Sequence, residues 1–418
     1  MLVGDSVSRS TSLAGRTGPL SGIKVLELAQ IMAGPTCGMM LADMGADVIK
    51  VEKLPGGDDS RGYKEPLLNG VSAPFLVLNR NKRGIALNLK LESAKEVLKR
   101  MVAGSDVLTE NYRKGTLEKL GLGYDVLSDI NPRLIYCAVS GYGRSGPMAD
   151  APGFDLIAQG FSGLMSFTGH PNTPPAKTGN SIADINAGIL AAVGVCAALV
   201  ERARTGKGQV VETSLMEAAI QQTYWQAAVY FATGVSASPL GSSHPLTAPY
   251  QAFACADGFI NIGGANQANW ERIADALGHS EWKTDHRFKT NTDRMNNLDA
   301  LVGEIELVTR SQTVAHWQSV FDAAGVPAGP VHSLEQALTH EQTLARAMVV
   351  NSEHPKAGHV QGIGHPIKFS NHSPVTESSP PPMLSEHAFD ILAEFNYSEA
   401  EIEALVAQGA VASPGVDQ

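Results

Sequence analysis

Cysteine is scarce in this chain: four in 418 residues, scattered at Cys37, Cys137, Cys196 and Cys255. Three of them lie in apolar surroundings, so they read as reduced core thiols of a cytoplasmic protein, not as a disulfide framework. Basic charge is also in deficit. Against 42 Asp and Glu stand 32 Lys and Arg, and the net charge of −10 argues against nucleic acid or an anionic membrane as partner. The longest apolar run, Ala187 to Val200, is about fourteen residues and ends in charges, shorter than a membrane span and suited to a buried helix. Residues Met1 to Gly18 are rich in Ser, Gly and Arg without an apolar segment, so they read as no signal peptide; a transit peptide stays open, with Asp5 and the lack of an amphipathic stripe favouring a frayed tail over it. His354, His359, His365 and His372 share no ligand spacing on one element, so no metal site is expected. Ser145, in Gly143-Arg-Ser-Gly146, is not a nucleophile elbow. No Ser/His/Asp triad or cysteine nucleophile can be assembled.

What is present is a large, apolar globule. A chain of 418 residues, 43% hydrophobic and 18% charged, is too long for one ordinary core and implies two domains. Its first half alternates strands with helical periods. Ile23–Leu28, Ala46–Glu52, Gly84–Leu89, Ser105–Glu110 and Arg133–Val139 read as strands, with helices at Thr36–Met44, Ser93–Val102 and Tyr124–Ile130. That alternation predicts an α/β fold in which a parallel sheet is covered on both faces, with ligands at the carboxyl ends of the strands. A strand at Gln209–Thr213 and a helix at Leu215–Thr233, opened by a Ser214/Glu217 capping box, extend it. Then Val235–Pro249, rich in Ser, Pro, Gly and His, reads as a linker. A hairpin over Tyr250–Ile262 and helices at Asn269–Leu277, Asn296–Arg310 and Thr313–Ala324 form a smaller α+β unit. The expected boundaries are 18–222 for the first part of the large domain, 223–249 for a linker, 250–323 for the small domain, 324–330 for a second linker and 331–418 for the return.

The chemistry converges on Asp184. It opens an apolar stretch of small residues running to Val200, closed by Glu201, Arg202, Arg204 and Gly206, and so reads as a carboxylate N-cap on a buried helix. An isolated Asp in that place is ordinarily only a cap. Here Ser181, Ala183, Ala187 and Gly188 wrap it in small side chains that let a ligand come close, and the free N–H groups of a helix start favour negative charge. Cations gather near strand ends at Lys53, Arg80, Lys82, Arg83, Lys90, Arg113, Lys114 and Lys119, which in so acidic a chain points to a polyanionic ligand such as a nucleotide phosphate. Glu52 ends the second strand where a dinucleotide fold places its ribose acid, but the preceding loop, Ala29–Pro35, lacks the glycine fingerprint.

The runs Leu20–Leu28, Ala33-Gly-Pro35, Gly45–Glu52, Asn79-Arg-Asn-Lys-Arg83, Glu110-Asn-Tyr112, Gly141-Tyr-Gly143, Ala183-Asp184, Thr205-Gly-Lys-Gly208 and Pro249–Phe253 resemble, in order, those of the class III CoA-transferases and the related α-methylacyl-CoA racemases. The resemblance implies an open Rossmann-like α/β large domain and a small domain, with two chains threaded through each other as an interlocked homodimer. It matches Asp184 to the carboxylate these transferases acylate. Coenzyme A or acyl-CoA would be substrate, with no cofactor held permanently and a small carboxylic acid as the other partner. Carried over by position, CoA contacts fall on Ile31, Met32 and Ala33, on Lys53, on Leu87 and Lys90, and on Asn111, Tyr112, Arg113 and Lys119, with Phe154 and Asp155 beside the thioester. Where the racemases carry a Gly-His-Asp run, this chain has Gly153-Phe-Asp155, and phenylalanine cannot move a proton. The glycine-rich loop of oxalate-specific members is reduced here to Gly241-Ser-Ser-His244. The wording comes closest to members that use succinyl-CoA and another dicarboxylate. A racemase or isomerase on the same scaffold, and a CoA-binding protein without turnover, are the competing expectations.

Overall fold

The computed structural model describes residues 17–415. By compactness they divide into two units, one comprising residues up to Leu164, Thr178–Ala228 and the stretch from Glu341 onward, the other Met165–Lys177 and Val229–His340.

The first unit is built on six parallel strands: β1 (Lys24–Leu28), β2 (Asp47–Lys53), β3 (Lys82–Leu87), β4 (Val107–Glu110), β5 (Ile135–Ser140) and β6 (Gln209–Ser214), in the order β3-β2-β1-β4-β5-β6. β1 to β5 are buried along nearly their whole length, as cover on both faces demands, while the edge strand β6 alternates half-buried and exposed residues. One core joins Leu26, Leu28, Ile49, Val51, Ile85 and Leu108 to the helix Glu92–Ala103 and to Ile391, Leu392, Phe395 and Leu405 from the far end of the chain. That end also covers the open edge of β3, where Leu87 bridges Val411 and the Ala412 N–H donates to the Ala86 carbonyl at 3.1 Å. Strand order reverses between β1 and β4, and in such sheets the crevice at that reversal, outside the carboxyl ends, takes the ligand.

Two helices frame the crevice. α1 (Ala33–Asp43) follows β1, beginning earlier than the expected Thr36, so Pro35 is its third residue. α2 (Ile182–Thr205) runs for 24 residues into β6 and closes on Gly206 in a left-handed conformation, φ 74°. By length and composition α2 could cross a membrane, which corrects the expectation that no apolar segment is long enough. Its small residues have a packing cause. A methyl group at Gly188 would lie 2.5 Å from the Ala33 carbonyl oxygen and 2.6 Å from Thr36 Cβ, and one at Gly194 would lie 2.6 Å from Val211 Cγ1. The helix therefore approaches both α1 and β6 closely. The helix expected over Leu215–Thr233 is two, Leu215–Gln221 and Tyr224–Thr233; Ser214 Oγ caps the first by accepting from the Glu217 N–H at 3.1 Å, but the Glu217 carboxylate accepts from the Ser214 hydroxyl, so the expected capping box is only half formed.

The second unit carries an antiparallel sheet of Tyr250–Ala254, Phe259–Gly263 and Ala328–Pro330. Helices Gln267–Ala276, Leu298–Thr309 and Val314–Ala324 bury Trp270, Ile305, Trp317 and Phe321 against it. Segments read as linkers thus hold regular structure: Tyr224–Thr233 is helical and Ala328–Pro330 is a strand.

Candidate active site at the carboxyl edge of the parallel sheet

The loop from β1 to α1 lies at the reversal point and is held from every side. Ile31 has φ 67°, a left-handed conformation rare for a β-branched residue. Its N–H donates to Asp58 Oδ1 at 3.1 Å. The neighbouring Gln30 N–H donates to Asn111 Oδ1 at 2.9 Å, and Asn111 Nδ2 returns a bond to the Gln30 carbonyl at 2.8 Å, tying the loops after β1 and β4 together. From beneath, Lys50 Nζ donates to the Ala29 carbonyl at 2.9 Å and Lys82 Nζ to the Pro35 carbonyl at 3.0 Å.

Those two ammonium groups belong to a fully buried ion network. Glu27 lies 3.1 Å from Lys50 and 2.8 Å from Lys82, and Lys50 lies 2.8 Å from Asp58. Burial opposes the Lys50 charge, but the Glu27 and Asp58 carboxylates outweigh it and hold that ammonium above the usual lysine range. Burial pulls Lys82 down to about 8, Glu27 compensating only in part. Asp58 is held at about 2 because Lys50 and the Ser60 and Ile31 N–H groups overcome its desolvation. Such a cluster is costly to leave half-paired, so it fixes the loop that its members grip.

Asp184 is the third residue of α2, not its N-cap. Ser181 occupies the cap position and makes no side-chain bond there. The cap comes instead from α3, the helix Asp155–Phe161: Asp155 Oδ1 accepts from the Ala183 N–H at 2.9 Å and the Asp184 N–H at 3.4 Å. Because those donors are satisfied through space, the Asp184 side chain is released from capping. Burial, with the Asp155 charge added, raises its carboxyl to about 7. One turn on, Gly188 brings α2 against Ala33, so Asp184 shares a face with the contact to the first loop.

The remaining predicted positions line the same edge with different exposures. Met32 caps α1 and Ala33 begins it, buried. Lys53, at the end of β2, pairs with Asp59 and approaches Gln30 Oε1 at 3.5 Å. Tyr112 is half-buried against the core, and burial raises its phenol. Lys90, Arg113 and Lys119 are exposed, while Phe154 is 74% exposed beside Asp155. Leu87 is 1% exposed and sits in the core, so its side chain offers a ligand nothing. Three cations expected to meet a polyanion are engaged within the protein: Arg80 with Asp43, Lys82 with Glu27, and Arg83 with Asp47 and Glu394. Glu52 holds Arg61 at 2.7 Å through both oxygens, which removes it as a ribose ligand. Among the described residues no cluster of His, Cys, Asp and Glu is arranged to hold a metal.

Sequence reasoning overlooked Glu27, Lys50, Asp58 and Gln159. The first two left a signal, since a charge inside an apolar parallel strand (Val-Leu-Glu-Leu, Val-Ile-Lys-Val) must be buried and paired. The Gly241–His244 loop packs within its own unit: Gly241 N–H donates to the Gly169 carbonyl at 2.8 Å, and a methyl on Gly241 would lie 2.9 Å from the His170 ring.

Comparison with known proteins decides the family. Residues 20–388 match CoA-transferase family III. The chain belongs to that family. It is 36% identical to the succinyl-CoA:glutarate CoA-transferase of Mus musculus, over 94% of this chain and 90% of that protein. It is 37% identical to the acetyl-CoA:oxalate CoA-transferase of Acetobacter aceti, over 94% and 99%. A crystal structure of a CaiB/BaiF family protein from Brucella suis superposes with a TM-score of 0.81 at 38% identity, covering 91% of this chain and all of that one. The α/β architecture and the transferase class read from the sequence therefore stand.

Proposed function

We propose that this family III member moves CoA from an acyl-CoA to a free carboxylic acid, with Asp184 as covalent nucleophile. The observation carrying the reading is Asp184 itself: a half-buried carboxylate at the ligand edge of the sheet, freed from capping by Asp155. An ionised Asp184 oxygen attacks the thioester carbonyl; the C–S bond breaks and CoA leaves as thiolate, giving an acyl-aspartyl anhydride. The thiolate then attacks the Asp184 carbonyl, releasing the donor acid and leaving an aspartyl-CoA thioester. The acceptor carboxylate attacks that carbonyl and displaces CoA again, and the thiolate takes the acceptor acyl group, restoring Asp184. Activation passes between acids without ATP. A carboxylate is a weak nucleophile, so orientation must supply much of the rate, effective molarities reaching on the order of 10⁵–10⁸ M in favourable cases. Water must be excluded, because the anhydride hydrolyses.

At the α1 N-terminus the Met32 and Ala33 N–H groups are offered toward the CoA phosphates, in a loop braced through the Ile31 N–H by Asp58 and through Gln30 by Asn111, with Lys90, Arg113 and Lys119 as a cationic rim. The relatives' substrates favour succinyl-CoA and a second dicarboxylate. Phe154 in place of an ionisable side chain disfavours the racemase reading. Large apolar side chains exposed in the single chain, including Phe231 at 82%, Val200 at 74% and Leu334 at 74%, support an interlocked homodimer in which they are covered. The four unpaired cysteines are compatible with a reducing cytoplasmic setting. A panel of acyl-CoA donors and short mono- and dicarboxylates, read by mass spectrometry with hydroxylamine trapping of acylated Asp184, tests the whole reading. Thioester transfer with no adduct on Asp184, together with an active Asp184→Asn variant, would overturn it.

A further inference from the structure

Gln159 has no exposed surface, yet its amide reaches the machinery around Asp184. Its Nε2 donates to Asp155 Oδ2 at 2.7 Å and to the Asn180 carbonyl at 3.3 Å. Its Oε1 accepts from the Thr178 N–H at 2.9 Å and from Thr178 Oγ1 at 3.1 Å. All four bonds fix one orientation of the amide, because a flip would set its oxygen against a carboxylate and a carbonyl and its NH₂ against a backbone donor. A continuous chain results. It runs from Thr178 through Gln159 to Asp155, whose other oxygen holds the Ala183 and Asp184 N–H groups. The segment Thr178–Ser181 leads directly into α2, so Gln159 binds the approach to that helix with one end and the cap of its first turn with the other.

We propose that Gln159 is a positioning residue for the transferase reaction, aiming the Asp184 carboxylate by fixing the Asp155 cap and the backbone leading into it. This rests on Asp184 being the nucleophile. Asp155 has two oxygens, one held by the Ala183 and Asp184 N–H groups and the other by Gln159; without the amide the second hold is lost and the carboxylate turns more freely away from the helix start. The first turn of α2 then regains free N–H groups, for which the Asp184 side chain becomes a competing acceptor. Its carboxylate would swing from attack into capping, the role sequence reasoning assigns to it. Gln159 touches neither substrate nor reacting atoms, so its effect falls on the rate of acyl transfer and not on CoA affinity.

The test uses the full-length protein with Gln159→Glu, which keeps length and the acceptor for Thr178 but places an oxygen against Asp155, and Gln159→Met, which keeps length and removes both polar atoms. Each variant is compared with the parent for melting temperature, KM for acyl-CoA, kcat, and single-turnover acylation of Asp184 by quenched mass spectrometry. The expected result is kcat and acylation rate down about tenfold to a hundredfold, in the range a small misplacement of reacting groups produces, with KM changed less than about twofold. Parental kcat in both folded variants would overturn the proposal. So would a rise in KM that parallels the loss of kcat, or failure of both to fold, since each marks Gln159 as a general brace. Asp184→Asn, assayed beside them, separates the two ideas: if it is inert while the Gln159 variants turn over normally, the nucleophile stands and only the positioning role falls.

Discussion

The Asp155 carboxylate accepts from the backbone N–H of Ala183 at 2.9 Å, at the start of the helix that carries Asp184. One carboxylate caps so that the other need not. The arrangement sets two acids close together on one helix terminus, and the helix start favours negative charge at both. Burial and the Asp155 charge nevertheless dominate at Asp184 and raise its carboxyl to about 7.

A pH profile follows. The nucleophile must be ionised, so kcat/KM should climb as pH rises from 5 to 8, with an inflection near 7 in place of the usual carboxylate range. Replacing Asp155 by Asn removes the neighbouring charge and should move that inflection toward acid, while lowering kcat through the weakened cap. Initial-rate measurements across that range decide it; an inflection near 4 in the parent would contradict the assignment.

The same shift has a stability sign. Asp184 binds its proton more tightly folded than unfolded, so between the unfolded value of about 3.8 and the folded value of about 7 the native state is progressively disfavoured as pH rises. Asp184→Asn cannot ionise and escapes that loss. The variant should match the parent in stability near pH 4 and exceed it at pH 8 by up to about 4 kcal/mol, at about 1.4 kcal/mol per pKa unit. Denaturant unfolding at both pH values measures the difference. A variant less stable than the parent at pH 8 would show that the fold favours the ionised Asp184 carboxylate, against the raised carboxyl, since Asn caps a helix about as well as Asp does.

Asp58 gives the opposite sign. Its carboxyl, held at about 2 by Lys50 and backbone donors, contributes stability that is complete above the ordinary Asp range and lost as pH falls toward 2. Asp58→Asn leaves Lys50 underpaired in a buried site and should cost about 3–5 kcal/mol at neutral pH. Ile31 would also lose its charged acceptor, so CoA affinity should fall along with stability. Chemical denaturation and CoA titration of the purified variant check both halves.

Much of this was legible in advance. Strand after helix, apolar on both faces, announces a doubly wound sheet, and Asp184 among small residues announces a functional helix start. What sequence could not supply was tertiary pairing. The cap on α2 comes from a side chain 29 residues upstream of Asp184. Arg83 meets Glu394 across 311 residues. Without those partners a run such as Arg80–Arg83 looks like a phosphate cradle, and Asp184 looks like its own helix's cap. The buried charges of β1 and β2 were visible as interruptions of apolar strands, but their role as supports of the Ala29–Pro35 loop depended on strand order.

The cations that remain exposed at the carboxyl edge carry the last prediction. Arg80, Lys82 and Arg83 are held by internal acids, so mutating them should damage folding before it alters ligand affinity. Lys90, Arg113 and Lys119 have no ion pair among the described residues and face solvent. If they meet the CoA phosphates, single Ala substitutions should raise the Kd for CoA about threefold to tenfold each, with melting temperature unchanged, because exposed charges add little to stability. The parent's affinity should weaken as salt rises, and each substitution should flatten that dependence, since fewer charges remain to be screened. Calorimetric titration with CoA at low and high salt separates this from shape recognition alone. A salt-independent affinity, or affinity that survives loss of Lys90, Arg113 and Lys119 together, would place the phosphates elsewhere.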